Sequence, residues 1–144
     1  MPSTKELMAS IESGEWKTTF FSEKHISVDD LFESEDRVRS SPIFPYGGFN
    51  PNLDTISLCH DCLFISAEEI AEWIDTKKRH FFRKVFTYGH EIGYVIRERN
   101  GEKTPSSSLV LALRHDSDCK YGFFITTFNV VEDEQAARLA VCGN

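Results

Sequence analysis

The hydrophobic pattern of the sequence changes its period near residue 80. Before this point apolar residues recur at helical spacing, and after it β-branched and aromatic residues form short runs separated by glycines or polar turns. Runs of this length, bounded by turn residues, are typical of strands joined by hairpins, which pair antiparallel. The predicted strands are Phe82 to Tyr88, Ile92 to Arg97, Leu109 to Arg114 and Tyr121 to Val131.

Helices are predicted on both sides of these strands. Ser3 with Glu6, and Ser66 with Glu69, have the Ser-x-x-Glu spacing of a capping box and precede apolar residues at helical spacing. Gly14 is expected to end the first helix. The remaining predicted elements are a strand over 16–21, a short helix beginning near Ser27, and a last helix over 133–141.

The predicted fold class is α+β. A chain of 144 residues fits one domain, with N-terminal helices, an antiparallel sheet of four to five strands and a C-terminal helix. Between residues 40 and 54 there are three prolines and two glycines, which disfavour both helix and strand. This segment is therefore expected to be a loop. Within one domain, 1–144, the predicted parts are 1–39 (helical and strand segment), 40–56 (loop), 64–131 (helix plus sheet) and 133–141 (C-terminal helix).

The sequence favours a cytoplasmic protein. Its longest apolar runs are a few residues, far short of the ~20 that cross a bilayer. The amino terminus has no basic region followed by an apolar stretch, unlike a secretory signal. The four cysteines are therefore expected to be free thiols.

Positive charge is concentrated in one segment of an acidic chain. The formal net charge is −7, yet residues 77–99 carry seven lysines and arginines against two glutamates, together with two histidines and five aromatic rings. A basic segment of this kind attracts an anion such as an RNA phosphate. Alternatively, the cations complement a helix end and pair with surface carboxylates.

The order of these elements resembles the metal-independent nucleases grouped around barnase, EndoU, the tRNase colicins and RelE. The resemblance spans roughly residues 64–131. It is carried by FISAEEIAEWIDTKKRHFFRKV, VIRERNG, LVLALRHD and FFITTFNV, a helix followed by strands of which the last contains Thr-Thr-Phe. The resemblance implies a toxin-like endoribonuclease that cleaves RNA, with tRNA as one candidate, by attack of the 2′-hydroxyl, without a metal or cofactor.

Such cleavage needs proton transfer to and from the reacting oxygens, and groups that stabilise the charge developing on the phosphate. Histidine suits the first task, and arginine and threonine suit the second. His115 is an alternative to His90, while His25 and His60 have weaker claims. The predicted catalytic residues are His80, His90, Arg97, Arg114, Thr126 and Thr127. The predicted substrate-binding residues are Arg83, Lys84, Tyr88 and Tyr94.

The acidic composition favours a second hypothesis. The chain has a pI near 5.2, which suits an immunity protein, antitoxin or inhibitor that presents carboxylates to a basic toxin. Three acidic stretches, 27–36, Glu68 to Asp75 and 131–134, would form the contact surface. Whether the chain is an enzyme or a binding protein stays open on its sequence.

A metal site is a third candidate. Cys59 and Cys62 have the spacing that lets two thiolates reach one zinc ion. A second half-site is missing, and a pair of buried cysteines at a strand end explains the same residues. No metal is therefore predicted.

Overall fold

The computed structural model describes residues 2–21 and 35–142. Within these ranges the helices are α1 (Thr4–Ser13), α2 (Trp16–Thr19), α3 (Glu35–Arg39), α4 (Thr55–Ile65), α5 (Ala67–Thr76) and α6 (Asp133–Cys142). The strands are β1 (Tyr46–Phe49), β2 (Phe81–Thr87), β3 (Gly93–Ile96), β4 (Lys103–Ser106), β5 (Ser108–His115) and β6 (Phe123–Val131). None of these helices combines the length and hydropathy that a membrane span requires.

The strands form two antiparallel sheets of three strands each, in the orders β1-β3-β4 and β2-β5-β6. The α+β class, the antiparallel pairing and the C-terminal helix are confirmed. The strands do not form one continuous sheet, because β2 pairs with β5 whereas β3 pairs with β1 and β4. Both β1 and β4 come from segments expected to be loops, and they supply β3 with partners other than β2.

The two sheets meet along β6. Gly47 of β1 lies so close to the carbonyl group of Val130 that a Cβ atom at position 47 would overlap it. Nearby, the rings of Phe49 and Phe128 stack with their centroids 5.3 Å apart. This close approach joins the sheets into one body.

The main core lies between the inner face of the β2-β5-β6 sheet and the helices α1, α4 and α5. Leu109, Leu111 and Leu113 alternate along β5 and are fully buried against these helices. A smaller cluster around Val38, Tyr94 and Ile96 stabilises the other sheet. The outer face of the β2-β5-β6 sheet is turned away from the main core and is crossed by α6.

The first helix follows its sequence signals, but the next segment does not. The capping box of Ser3 and Glu6 and the ending of α1 at Gly14 are both confirmed. The strand predicted over 16–21 is wrong, because this segment forms the short helix α2. Trp16 and Phe20 are both fully buried, and their spacing of four residues places them on one side of a helical turn.

The helix after Ser66 is confirmed, but the predicted capping box is not. The Ser66 side chain makes no cap hydrogen bond, because Ser66 also ends α4 and its hydroxyl is buried without a partner in the described part of the chain. The sequence did not predict α4, and its Cys59 and Cys62 lie within a helix rather than at a strand end. The helix expected near Ser27 lies outside the described residues.

Candidate functional site

A groove lies between α6 and the outer face of the β2-β5-β6 sheet. Phe81 pairs with Arg114, and Ala112 lies between Arg83 and Thr127 across the three strands. Residues paired directly across strands project from the same face. The cavity has a volume of about 300 Å³. We call it the outer groove; its lining includes Phe81, Arg83, Thr126, Thr127, Gln135 and Leu139.

A change of register brings two neighbouring threonines to this groove. Ala112 pairs with Thr127 but Leu113 pairs with Ile125, so Thr126 is an extra residue in β6. This irregularity lets consecutive residues line one cavity. The Thr126 hydroxyl donates to the Ala112 carbonyl over 3.2 Å, whereas no partner for the Thr127 hydroxyl is found among residues 2–21 and 35–142.

Two arginines lie close together beside the groove. Arg83 and Arg114 are diagonal neighbours on adjacent strands, and both are exposed. The Arg114 guanidinium lies 5.7 Å from the centre of the Phe81 ring. In the part of the chain that the structure describes, neither arginine has a carboxylate within ion-pair distance. Two exposed arginines on neighbouring strands, without a carboxylate partner in the described ranges, are suited to bind an oxyanion.

The histidines predicted to share proton transfer lie at opposite ends of β2. His80 precedes Phe81 and is exposed at the end of the sheet where Arg114 lies. His90 follows the strand and contacts Tyr88, with ring centroids 6.0 Å apart. A strand of this length separates its ends by roughly 20 Å. These two histidines therefore cannot act on the same phosphodiester bond in this arrangement.

His115 lies closer to His80 than to His90. Its ring stacks on Trp73 with centroids 3.9 Å apart. Burial is the largest cause that lowers the pKa of His115, and the charges of Lys77 and His80 lower it further. The neutral imidazole is therefore the favoured form.

The remaining predicted site residues lie away from the outer groove and have partners of their own. Lys84 forms an ion pair with Glu69 beside α5. Arg97 bonds Glu132, with 2.6 Å between Nη2 and Oε2. Tyr94 is buried in the smaller cluster, and the Tyr88 hydroxyl lies 3.3 Å from the Cys62 Sγ atom. The structure thus brings together Arg83, Arg114, Thr126 and Thr127, with His80 at the same end of the sheet.

Six of the residues that line the groove were not predicted from the sequence, among them Phe81, Gln135 and Leu139. Phe81 follows His80 inside the basic segment, so its position was a usable signal. Gln135 and Leu139 belong to α6 and reach the groove only because that helix crosses the outer face. No local pattern in the sequence specifies such a crossing.

The acidic stretches differ in how far they are used inside the protein. Most of 27–36 lies outside the described residues. In the stretch 131–134, Glu132 pairs with Arg97, and Asp133 accepts hydrogen bonds from three consecutive serines. On α5, by contrast, three carboxylates at helical spacing are exposed and have no ion-pair partner in the described ranges: Glu68, Glu72 and Asp75.

The two cysteines with zinc-site spacing lie on the buried side of α4. Cys59 and Cys62 lie one turn apart in α4 and are fully buried free thiols. Burial raises the pKa of Cys59 well above its usual value and that of Cys62 to about 11, so both stay protonated at neutral pH. Among the described residues, no three or more side chains are grouped so that they could hold a metal ion.

Comparison with known proteins identifies a shared fold. No protein-family model and no curated protein sequence matches this chain. A chain from the crystal structure of the CdiA-CT/CdiI complex from Y. kristensenii 33638 superposes with a TM-score of 0.56 and 10% sequence identity. The match covers 75% of this chain and 95% of that chain. At this identity the similarity establishes the fold alone.

Proposed function

We propose that this chain is a toxin-like, metal-independent endoribonuclease that holds the reacting phosphate of RNA at the outer groove. The observation that carries the proposal is the pair of exposed arginines, Arg83 and Arg114, without carboxylate partners in the described ranges. They lie on the same face as Thr126 and Thr127. An RNA phosphate supplies the charge that this face lacks.

Four residues in or beside the groove have a task in this proposal. Arg83 and Arg114 donate hydrogen bonds to the non-bridging oxygens, where negative charge grows as the 2′-hydroxyl attacks phosphorus. The Thr127 hydroxyl donates to the same group. Phe81 offers an aromatic surface for a base.

Proton transfer falls to His80 rather than His90, because, of these two histidines, His80 is the one at the Arg114 end of β2; His115, also at this end, is stacked on Trp73. In the proposed step, His80 accepts the proton of the 2′-hydroxyl as the oxygen–phosphorus bond forms. The bond to the 5′-oxygen breaks, and solvent protonates that oxygen. The products are a 2′,3′-cyclic phosphate and a 5′-hydroxyl end.

The fold similarity supports a place in a toxin–immunity system. The similar chain comes from a CdiA-CT/CdiI complex, which is a toxin–immunity complex. That relationship fits either side of such a pair. The outer groove is what favours the toxin side.

The test is RNA cleavage in the presence of EDTA. Total RNA and isolated tRNA are incubated with the wild-type protein, His80→Ala and the matched control His90→Ala. We expect the wild type to cleave RNA. The rate of His80→Ala should be lower by at least about 10²-fold, and the rate of His90→Ala should be close to that of the wild type. Absence of cleavage by the folded wild type would refute the proposal, and loss confined to His90→Ala would refute the site.

A second function is favoured by the acidic face of α5. Glu68, Glu72 and Asp75 are exposed carboxylates without ion-pair partners in the described ranges. Like charges four residues apart destabilise a helix by roughly 0.2–0.5 kcal/mol, and a basic partner protein would offset that cost. On this alternative the chain is an immunity protein or inhibitor that blocks a basic toxin.

Inhibition of a panel of purified basic ribonucleases tests this alternative. We expect inhibition by the wild type, with an association rate that falls steeply with added salt and falls further in Glu72→Lys. Glu134→Lys, at an exposed acidic position on α6, is the matched control. A salt-insensitive rate, or equal effects of the two substitutions, would contradict the α5 surface.

A further inference from the structure

A second cavity, which the proposed ribonuclease does not use, lies where α5 leads into β2. Its volume is about 420 Å³, within the usual range for small-molecule sites. It is formed by the end of α5, the last residue of β5 and the turn before β6. We call it the α5 cavity; its lining residues are Ile74, Lys77, His115, Ser117 and Gly122.

One wall of the α5 cavity is a fixed aromatic surface. The His115 ring is held parallel to Trp73, with 19° between the two planes and 3.9 Å between their centroids. Trp73 is itself fixed, because its indole nitrogen donates to the Arg79 carbonyl over 3.0 Å. His115 lines the cavity beside Ile74. A planar ring is the ligand surface that best extends such a stack.

A cation stands at the same cavity. Lys77 ends α5 in the left-handed conformation, with φ 51°, where glycine is the residue normally preferred. Its side chain is exposed, and no carboxylate lies within ion-pair distance of its ammonium group in the part of the chain that the structure describes. Lysine at this position therefore places a positive charge at the cavity in spite of an unfavourable backbone conformation.

We propose that the α5 cavity binds an aromatic anion, with the ring against His115 and a phosphate or carboxylate group on Lys77. A nucleoside monophosphate has this chemistry. It has two sources, a free mononucleotide and a nucleotide within an RNA strand. The proposal concerns binding alone and does not depend on RNA cleavage by this chain.

The probe is adenosine 5′-monophosphate, titrated while NMR follows the ring protons of His115 and the indole N–H of Trp73. Adenosine lacks the anion and ribose 5-phosphate lacks the ring, so each should bind at least about tenfold more weakly. We expect saturable shifts at His115 and Trp73 with the nucleotide. The Trp16 indole, in the N-terminal helix α2, should not shift.

Two neighbouring lysines give a matched pair of variants. Lys77→Gly removes the ammonium group and also relaxes the left-handed backbone, so this variant should fold while its affinity falls about tenfold or more. Lys78→Ala removes an exposed charge that does not line the cavity, and its affinity should stay within about twofold of the wild type. An uncleavable 2′-O-methyl oligonucleotide identifies the source: binding of mononucleotide alone indicates a free ligand, and binding of both indicates RNA.

Three results would overturn the proposal. The first is the absence of saturable shifts at millimolar nucleotide. The second is equal affinity for ribose 5-phosphate, which would reduce the site to a phosphate on a surface lysine. The third is an equal loss of affinity in Lys77→Gly and Lys78→Ala, which would indicate general attraction to the basic segment.

Discussion

Cations of the two sheets differ in how they are used. Three cationic side chains around the β1-β3-β4 sheet bond to carboxylates or carbonyl groups of the protein. Arg97 bonds Glu132, Lys103 bonds Glu35 over 2.8 Å, and Arg39 donates to the carbonyls of Arg99 and Gly101 over 3.1 and 2.8 Å. These contacts hold the ends of α3, β3 and β4 in place.

The outer face of the β2-β5-β6 sheet shows the opposite arrangement. Arg83 and Arg114 have no such partner in the described ranges, although they are close to each other. The basic residues of the sequence are therefore of two kinds: some form ion pairs within the protein, and others have no carboxylate partner in the described ranges. The sequence alone does not distinguish the two kinds, because the pairing depends on the fold. An ion pair such as Arg97–Glu132 has its charge already balanced, whereas Arg83 and Arg114 are exposed and have no carboxylate partner in the described ranges.

The largest effect is expected where the two sheets join. Gly47→Ala places a Cβ atom against the Val130 carbonyl, which belongs to a paired strand and cannot move freely. We expect the free energy of unfolding, measured in urea, to fall by more than about 3 kcal/mol. Gly89→Ala is the matched control, because a Cβ at Gly89 meets no atom within 4 Å. Equal stability of the two variants would mean that the sheets are not held together at this contact.

The contrast between the two kinds of arginine gives the next largest effect. Arg114→Ala should lower the rate of RNA cleavage by about 10²-fold and leave the melting temperature nearly unchanged, because Arg114 makes no ion pair in the described ranges. Arg97→Ala should do the reverse, keeping the cleavage rate and losing less than about 1 kcal/mol of stability. A loss of cleavage in Arg97→Ala equal to that in Arg114→Ala would remove the distinction between the two surfaces.

Much of the fold could be predicted because its signals are local. The capping box before α1 and the aromatic and β-branched runs of β2, β5 and β6 each identify an element without reference to the rest of the chain. The strands β1 and β4 could not be predicted, since Gly47, Gly48 and Pro105 are poor strand formers. They are extended because β3 pairs with both, and Pro105 is tolerated because β4 is an edge strand.

The candidate site was predictable only in part. Strand alternation places Arg83 and Arg114 on one face once the register of β2 and β5 is known, but the sequence does not give that register. The extra residue Thr126 and the crossing of α6 over the groove depend on tertiary contacts. The nearness of His80 and His90 in the sequence predicts a shared site, but the strand β2 between them separates them in space.

A smaller effect is expected where Asp133 bonds both sheets to α6. Its carboxylate accepts from the backbone N–H of Ser107 at 3.0 Å and from the hydroxyls of Ser108 and Ser106 at 2.7 and 3.3 Å. Asp133→Ala should reduce the free energy of unfolding by about 2 kcal/mol, since the Ser107 N–H and the buried Ser108 hydroxyl lose this acceptor, whereas the Ser106 hydroxyl keeps the Val131 carbonyl. Glu134→Ala, whose exposed carboxylate lies 3.6 Å from Arg138, should cost less than about 0.5 kcal/mol. Similar losses in urea unfolding would show that the serine contacts add no stability.

The smallest effect concerns the ion pairs of the β1-β3-β4 sheet and appears only with pH. The hydrogen bond from Lys103, and then that from Arg39, lowers the pKa of Glu35 below its usual value of 4.5. A group whose folded pKa is lowered adds stability above the unfolded pKa, and this stability is lost as the pH falls through the folded pKa. The wild type should therefore lose slightly more melting temperature between pH 7 and pH 3 than Glu35→Gln. Glu102→Gln, at an exposed position without an ion-pair partner in the described ranges, should follow the wild type. If the melting temperatures of all three proteins change equally between pH 7 and pH 3, solvent screens the ion pairs of Glu35 completely. The ion pairs of the β1-β3-β4 sheet would then add no electrostatic stability.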